Sequence, residues 1–243
     1  MIPKIIWQTH EWEYKDLPIH FAKTSMTWIN LNPEYKYVYM TGVEANEFVK
    51  LEHPEIYSYY KYMDKIDKRY SSDIWRYLIL NKYGGFYCDL DSTCIKPLDY
   101  VLKDFKDNHQ FITLKHSFHP GKRHLDLKIN HKIMTSNSNF GSIPKSNFLK
   151  DIIEHIKTDA KKINFIEKTN EFILDKTVMQ GLWMPWDIFI LNLEKNSDTR
   201  LIDDFAQHSG YFKKDFINMC QVDYYGEKIS YLDLLKKQKL KEY

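Results

Sequence analysis

Apolar and polar positions along the first hundred residues change period several times, and each change marks an element. Pro3–Thr9 carries the apolar run Ile5-Ile6-Trp7 and predicts a first strand. Phe21–Leu31 follows with helical spacing and stops at Asn32-Pro33, because the residue before a proline resists helix. Tyr35–Met40, aromatic and β-branched, predicts a second strand. Ala45–Tyr62 predicts helix with an interruption near Pro54.

The densest pattern is Ser71–Cys94, SSDIWRYLILNKYGGFYCDLDSTC. Ser71 or Ser72 is a helix cap in this reading, since a short side-chain oxygen accepts from an otherwise unpaired backbone N–H. Asp73 then falls in the first turn, where the helix dipole favours negative charge. Ile74, Tyr77, Leu78 and Leu80 give one apolar face. Gly84-Gly85 supplies the left-handed backbone of a helix stop. Phe86–Asp91 alternates as a strand, with Phe86, Cys88 and Leu90 on one face and Tyr87, Asp89 and Asp91 on the other. Two same-side carboxylates at a strand end form a hard-oxygen site that suits Mg²⁺ or Mn²⁺ carrying phosphate oxygens.

Past this stretch the periods are weaker. Ile95–Leu102 leads into a helix or turn, and Phe111–Leu114 predicts a short strand. Lys115–Lys132 holds four of the ten histidines and several lysines and reads as a long basic loop, the kind that serves as a lid or binding loop. Ile133–Ile143, with Asn137, Asn139 and Gly141, reads as a polar strand-to-loop segment. Phe148–Ile163 is an amphipathic helix, and Thr177–Trp186 an aromatic, Met-rich loop suited to a sugar pocket or to core. Leu201–Tyr211 predicts a strand and polar turn, and a lysine-rich amphipathic helix runs from Ile229. Strands alternating with helices, without a repeat or linker, argue one α/β domain over 1–243.

Composition narrows the function classes. A net charge of +2 gives no global case for nucleic-acid binding. Three cysteines, Cys88, Cys94 and Cys220, make neither a disulfide framework nor a zinc ligand spacing, and Cys88 reads as a small buried hydrophobe. No run reaches the ~20 apolar residues that span a bilayer. The expectation is a soluble, cytoplasmic chain, with peripheral membrane contact open to the basic C-terminal helix. Aromatic residues make up 16% of the chain, with 18 Tyr and 6 Trp, which leans slightly toward carbohydrate recognition.

A D-x-D alone is weak, but its surroundings are specific. The string S-D-x-x-R-Y-x-x-L-x-x-x-G-G-x-Y-x-D-x-D is present at Ser72, Asp73, Arg76, Tyr77, Leu80, Gly84, Gly85, Tyr87, Asp89 and Asp91. It resembles the DXD-containing glycosyltransferases of family 32, the group of yeast mannosyltransferases and capsule-type sugar transferases. A shorter version is similar to the glucosylating clostridial toxins. IPKIIWQT, TWINLNPEYKYVYM and IKPLD are similar to the family's opening, second and post-DXD segments, so the likeness runs from residue 2 to about 100.

The resemblance implies a GT-A type fold, a Rossmann-like α/β sandwich with a mixed central sheet flanked by helices. Residues 1–115 would bind the donor and 116–243 would carry the acceptor side and C-terminal helix. It implies metal-dependent, retaining transfer of a hexose from a UDP- or GDP-sugar to a glycan or glycolipid hydroxyl. Carried over by position, Asp91 ligates the Mn²⁺ or Mg²⁺, and Asp89 contacts the donor and helps hold the metal. Asp73 and Arg76 bind donor-sugar hydroxyls from one helix face, with Tyr77 beside them. Trp7, Gln8 and Thr9 are donor contacts of the opening segment. Trp7 stands where the family has His and His10 where it has Trp, which leaves the base-stacking ring open, with Trp7 a candidate. His208 is a candidate C-terminal metal ligand, although Gly210-Tyr211 replaces the family's Trp. Asn139 and Trp183 are acceptor-side candidates.

Two other readings use the same residues. Asp89–Thr93, D-L-D-S-T, also fits the D-x-D-x-T motif of haloacid-dehalogenase-like phosphatases, with Asp89 as nucleophile. The remaining alternative is a nucleotide-sugar-binding protein without turnover.

Overall fold

The computed structural model describes residues 1–117, 133–169, 199–202, 206–208, 220–222 and 228–230. Its centre is a six-stranded mixed sheet. Strands β1 (Ile5–His10) and β2 (Lys36–Thr41) are parallel and joined by helix α1 (Ile19–Leu31). Helices α2 (Gly42–Glu52), α3 (Pro54–Ile66) and α4 (Lys68–Tyr83) then lead to β3 (Gly85–Cys88), which returns parallel to β1. After β4 (Ser92–Cys94) and a short α5 (Leu98–Val101), β5 (Phe111–Ser117) and β6 (Ile133–Ser142) form an antiparallel pair. Helix α6 (Asn147–Thr169) follows, and β7 (Thr199–Ile202) pairs with β5. The strand order is β2-β1-β3-β6-β5-β7. Two small ladders stand apart: β4 with β8 (Ala206–His208), and β9 (Cys220–Val222) with β10 (Lys228–Ser230).

Period-two alternation splits the core. Ile6, Phe86, Cys88 and Ile112 face Trp28 and Leu98 on one side of the sheet. Trp7, Tyr87, Phe111 and Phe140 face α3, α4 and α6 on the other. Trp28, Phe86, Phe111 and Phe140 are fully buried, each stabilising by about 1.5–3 kcal/mol relative to exposure. The expected burial of Cys88 is observed.

Helix α4 begins earlier than its pattern suggests. Asp67 is the cap, accepting from the Arg69 N–H, so neither Ser71 nor Ser72 caps the helix. Ser71 instead donates to Asp64 Oδ1 at 2.7 Å, and Asp73 lies in the second turn. The polar Lys68-Arg69-Tyr70 stretch hides this first turn from apolar periodicity. The glycine stop is as expected: Gly84 has φ +67° and its N–H donates to Leu80 O. At Gly85, with φ +100°, a Cβ would stand 2.6 Å from Ile5 O, so only glycine lets β3 enter beside β1.

Further along, Pro54 opens α3 at the expected interruption. The polar Ile133–Ile143 segment is a full strand, and the basic loop gives up Lys115–Ser117 to β5; its remainder, 118–132, lies outside the described residues. Ile229, expected to open a terminal helix, belongs to β10 and pairs with Gln221. The 231–243 segment and the Thr177–Trp186 loop lie outside the described residues. Among those described, no helix is long and apolar enough to cross a membrane.

Candidate donor-binding site

The carboxyl ends of parallel β1 and β3 lie where the strand order reverses, the usual ligand position in open α/β sheets. There the alternation expected through Asp91 stops at Cys88, and Asp89–Asp91 forms a turn closed by the Ser92 N–H on Asp89 O at 3.0 Å. Leu90 is buried against Leu17 and Phe21, which anchors the turn's centre in a small apolar cluster. Asp89 on one side meets α4. Asp91 on the other exerts its charge on His10 and His20.

Arg76 is the hub on the α4 side. Its Nη2 lies 3.0 Å from Asp73 Oδ1 and 3.3 Å from Asp89 Oδ1. Its Nη1 donates to the Asn137 carbonyl at 2.6 Å, and the guanidinium stacks 4.3 Å over the Tyr87 ring. The Tyr87 hydroxyl donates to the same Asp89 Oδ1 at 2.6 Å, and Asn137 Nδ2 donates to Asp73 Oδ1 at 3.3 Å. The Arg76 side chain is 7% exposed, against 22% for Asp73 and 27% for Asp89. The cation is thus enclosed while both carboxylates stay more exposed.

Electrostatics follow from that enclosure. Burial disfavours a charged guanidinium, but the surrounding Tyr87, Asp89 and Asp73 outweigh it and move the Arg76 pKa upward. Burial also pushes the Asp73 carboxyl above its usual range, with Arg76 opposing. It holds Tyr87 and Tyr77 as neutral phenols. Around Asp91 the groups differ: burial lowers His10 to about 4 and moves His20 in the same direction.

The structure brings Asp73, Arg76 and Asp89 into contact, with Asp91 two residues on in the same turn and Tyr77 buried beside Asp73 and Asn137. Gln8 is fully buried, donates to Asp89 O at 3.1 Å and accepts from the Tyr37 hydroxyl at 2.6 Å. Thr9 turns away from these residues and donates to Met40 O. Trp7 does not join the site. It packs in the α4-side core, donates Nε1–H to Gly84 O at 2.9 Å and stacks on Tyr83 at 5.7 Å. Alternation along β1 puts it there. Asn139 is buried and donates to the Ser92 and Ser138 hydroxyls. Backbone register sets His208 opposite Ser92, the residue after Asp91. Trp183 lies outside the described residues.

Asn137 and Tyr87 complete the site without site roles in the sequence reading, and Ser72, expected there as a possible helix cap, accepts from Arg76 Nη2 at 3.4 Å. Tyr87 is visible in sequence as a letter of the motif on the face of Asp89 and Asp91, and Asn137 only as a polar residue in a strand-to-loop segment. Its contact with Arg76 depends on β6 lying beside β3, which no local pattern reveals.

A divalent metal fits this donor set. Asp89 and Asp91 offer hard carboxylate oxygens from one turn, and Mg²⁺ or Mn²⁺ commonly takes one or two carboxylates plus substrate phosphates. Among the described residues no cluster of three or more His, Cys, Asp or Glu converges on one point.

Several known proteins are similar to this chain. Residues 18–112 match the family described as glycosyltransferase sugar-binding region containing DXD motif. Over 105 residues the chain is 41% identical to the mannosyl phosphorylinositol ceramide synthase SUR1 of Saccharomyces cerevisiae, covering 42% of this chain and 26% of that protein. It is 38% identical over 102 residues to the inositol phosphoceramide mannosyltransferase 3 of Schizosaccharomyces pombe, covering 42% and 27%. An initiation-specific alpha-1,6-mannosyltransferase of Candida albicans is 33% identical over 104 residues, covering 40% and 26%. The matches span about a quarter of the length of these relatives. Among solved structures, the PaToxG glycosyltransferase superposes with a TM-score of 0.50 at 14% identity, covering 81% of this chain and 70% of that one. That likeness establishes the GT-A type α/β fold. Residues 18–112, which include Asp89-Leu90-Asp91, are thus similar to glycosyltransferase sugar-binding regions containing a DXD motif.

Proposed function

We propose that the chain is a metal-dependent glycosyltransferase that moves a hexose from a UDP- or GDP-sugar to a hydroxyl of a glycan or glycolipid, with retention. The observation that carries this reading is Arg76 held between Asp73 and Asp89 beside the DXD turn. A buried arginine fixes both carboxylates in orientation, and partly exposed carboxylates accept hydrogen bonds from sugar hydroxyls. Asp91 and Asp89 would hold Mn²⁺ or Mg²⁺, and His208 is the proposed third ligand. The metal, when bound, neutralises charge on the departing diphosphate. Arg76 adds a fixed positive charge to the same site.

The mannosyltransferase names of the relatives favour a mannosyl donor and a glycolipid or glycan acceptor. The donor part is proposed to extend past residue 115 to include β6, because Asn137 bonds both Arg76 and Asp73. Asn139 and Trp183 stay on the proposed acceptor side.

Ligand binding to the native state raises apparent stability, so a thermal-shift screen of nucleotide sugars tests the proposal. A UDP- or GDP-hexose should raise Tm in the presence of Mn²⁺ and not in its absence. A chain that no nucleotide sugar stabilises, with or without Mn²⁺, contradicts it.

A further inference from the structure

Three successive buried donors grip the backbone of the DXD turn from outside it. Gln8 Nε2 donates to Asp89 O at 3.1 Å, Thr24 Oγ1 lies 2.5 Å from Leu90 O, and Trp28 Nε1 donates to Ser92 O at 2.7 Å. Thr24 Oγ1 also lies 2.9 Å from Phe21 O, so its one proton faces two carbonyl acceptors, with Leu90 O at the shorter distance. Gln8 and Trp28 are fully buried and Thr24 is 5% exposed. The Tyr37 hydroxyl occupies Gln8 Oε1, which fixes the amide with its NH₂ toward Asp89. At the far end Cys94 N–H donates to Thr27 Oγ1 at 2.9 Å. One face of α1 therefore supplies Thr24 to the turn and Thr27 and Trp28 to β4 directly after it, while Phe21 on the same helix packs on Leu90.

We infer that Gln8, Thr24 and Trp28 are positioning residues that set the separation and aim of the Asp89 and Asp91 carboxylates. This rests on the donor-site reading and assigns Gln8 to the turn's backbone in place of direct donor contact. Carboxylates on a turn are only as fixed as its peptide planes, and a metal site loosened by a fraction of an ångström loses affinity. Thr24 matters most, since its acceptor Leu90 is the residue between Asp89 and Asp91, and Thr24 stands one helical turn from His20, on which Asp91 acts.

The test compares Mn²⁺-dependent nucleoside-diphosphate affinity, by calorimetry at a temperature where every variant is folded. Thr24→Val keeps the shape and removes the donor; it should weaken binding with Mn²⁺ by about tenfold and leave the weaker metal-free binding unchanged. Thr24→Ser should restore it. Trp28→Phe, which deletes one N–H and keeps most of the packing, should act in the same direction and serves if Thr24→Val does not fold. A merely structural role lowers Tm and leaves the Mn²⁺-dependent affinity at the parent value, and that result overturns the inference alone. A parent chain that binds no nucleoside diphosphate with Mn²⁺ overturns the donor-site reading and this inference with it.

Discussion

Arg76 Nη2 lies 3.3 Å from Asp89 Oδ1 while the Tyr87 hydroxyl donates to that same oxygen at 2.6 Å. Asp89 is therefore held on its α4 side by a charge and a phenol at once. Its partner Asp91, two residues on, lies near His10 and His20. The two carboxylates of one short turn therefore stand in different surroundings.

Removing the hub should cost stability as well as chemistry. Arg76→Met leaves Asp73 and Asp89 without their shared cation, and breaking such a buried pair costs about 3 kcal/mol. Arg76→Lys keeps the charge but not the planar fork, so turnover should fall more than nucleotide affinity. Denaturant titration reads the first effect and steady-state kinetics the second. Equal losses in kcat and affinity for the lysine variant would reduce Arg76 to a structural role.

Tyr87→Phe isolates the phenol. The ring still packs under Arg76, and the lost hydrogen bond to a carboxylate should destabilise by about 1.5–3 kcal/mol. Metal-dependent nucleotide affinity should fall with it, because Asp89 gains rotational freedom. An unchanged unfolding midpoint would show that the 2.6 Å bond contributes nothing net.

Acid should destabilise the metal-free chain through His10. Burial lowers its pKa from an ordinary 6.5 to about 4, against Glu11 and Asp91 that raise it and with Lys68 and His20 that lower it further. Between those two values the unfolded chain binds a proton that the folded chain refuses. Stability is then lost as pH falls from about 6.5 to about 4. His20 adds the same sign. His10→Gln should flatten the slope of unfolding free energy in that window, as read by urea titration at several pH values; an unaltered slope would remove His10 as its source.

The glycine stop is the most local of these tests. Gly85→Ala places a methyl 2.6 Å from Ile5 O at a positive φ. It should destabilise by at least about 3 kcal/mol, by strain and by displacing β3 from β1. A Tm within a few degrees of the parent would contradict the close approach.

Much of this was legible in the sequence where a local pattern carried it. The Ile5–Trp7 run, the Asn32-Pro33 stop, Pro54 and the two glycines each act through their own backbone, and the elements around them fall where the pattern puts them. Asp73 and Arg76 stand one helical turn apart, so their pairing is written into α4. What depends on tertiary context was not legible. The α4 cap escapes the pattern because the helix's first turn is polar. The Asp89–Asp91 turn reads as strand because alternation continues in the letters after the ladder has ended. Trp7 reads as a base-stacking candidate, and only the β1 register shows it opposite Tyr87 in the core. Asn137 joins Arg76 only through the antiparallel pairing of β6 with β3, across 61 residues of chain.

The Asp89–Asp91 turn is proposed to hold a metal and a nucleotide-sugar donor for transfer. Nucleoside-diphosphate release from UDP- and GDP-hexoses, measured with Mn²⁺ for the parent chain and for Asp91→Ala, is the decisive measurement. Slow release by the parent that chelation abolishes, and none by a folded Asp91→Ala, is the expected result. Release that Asp91→Ala leaves unchanged, or phosphomonoester cleavage in place of any release, would contradict it.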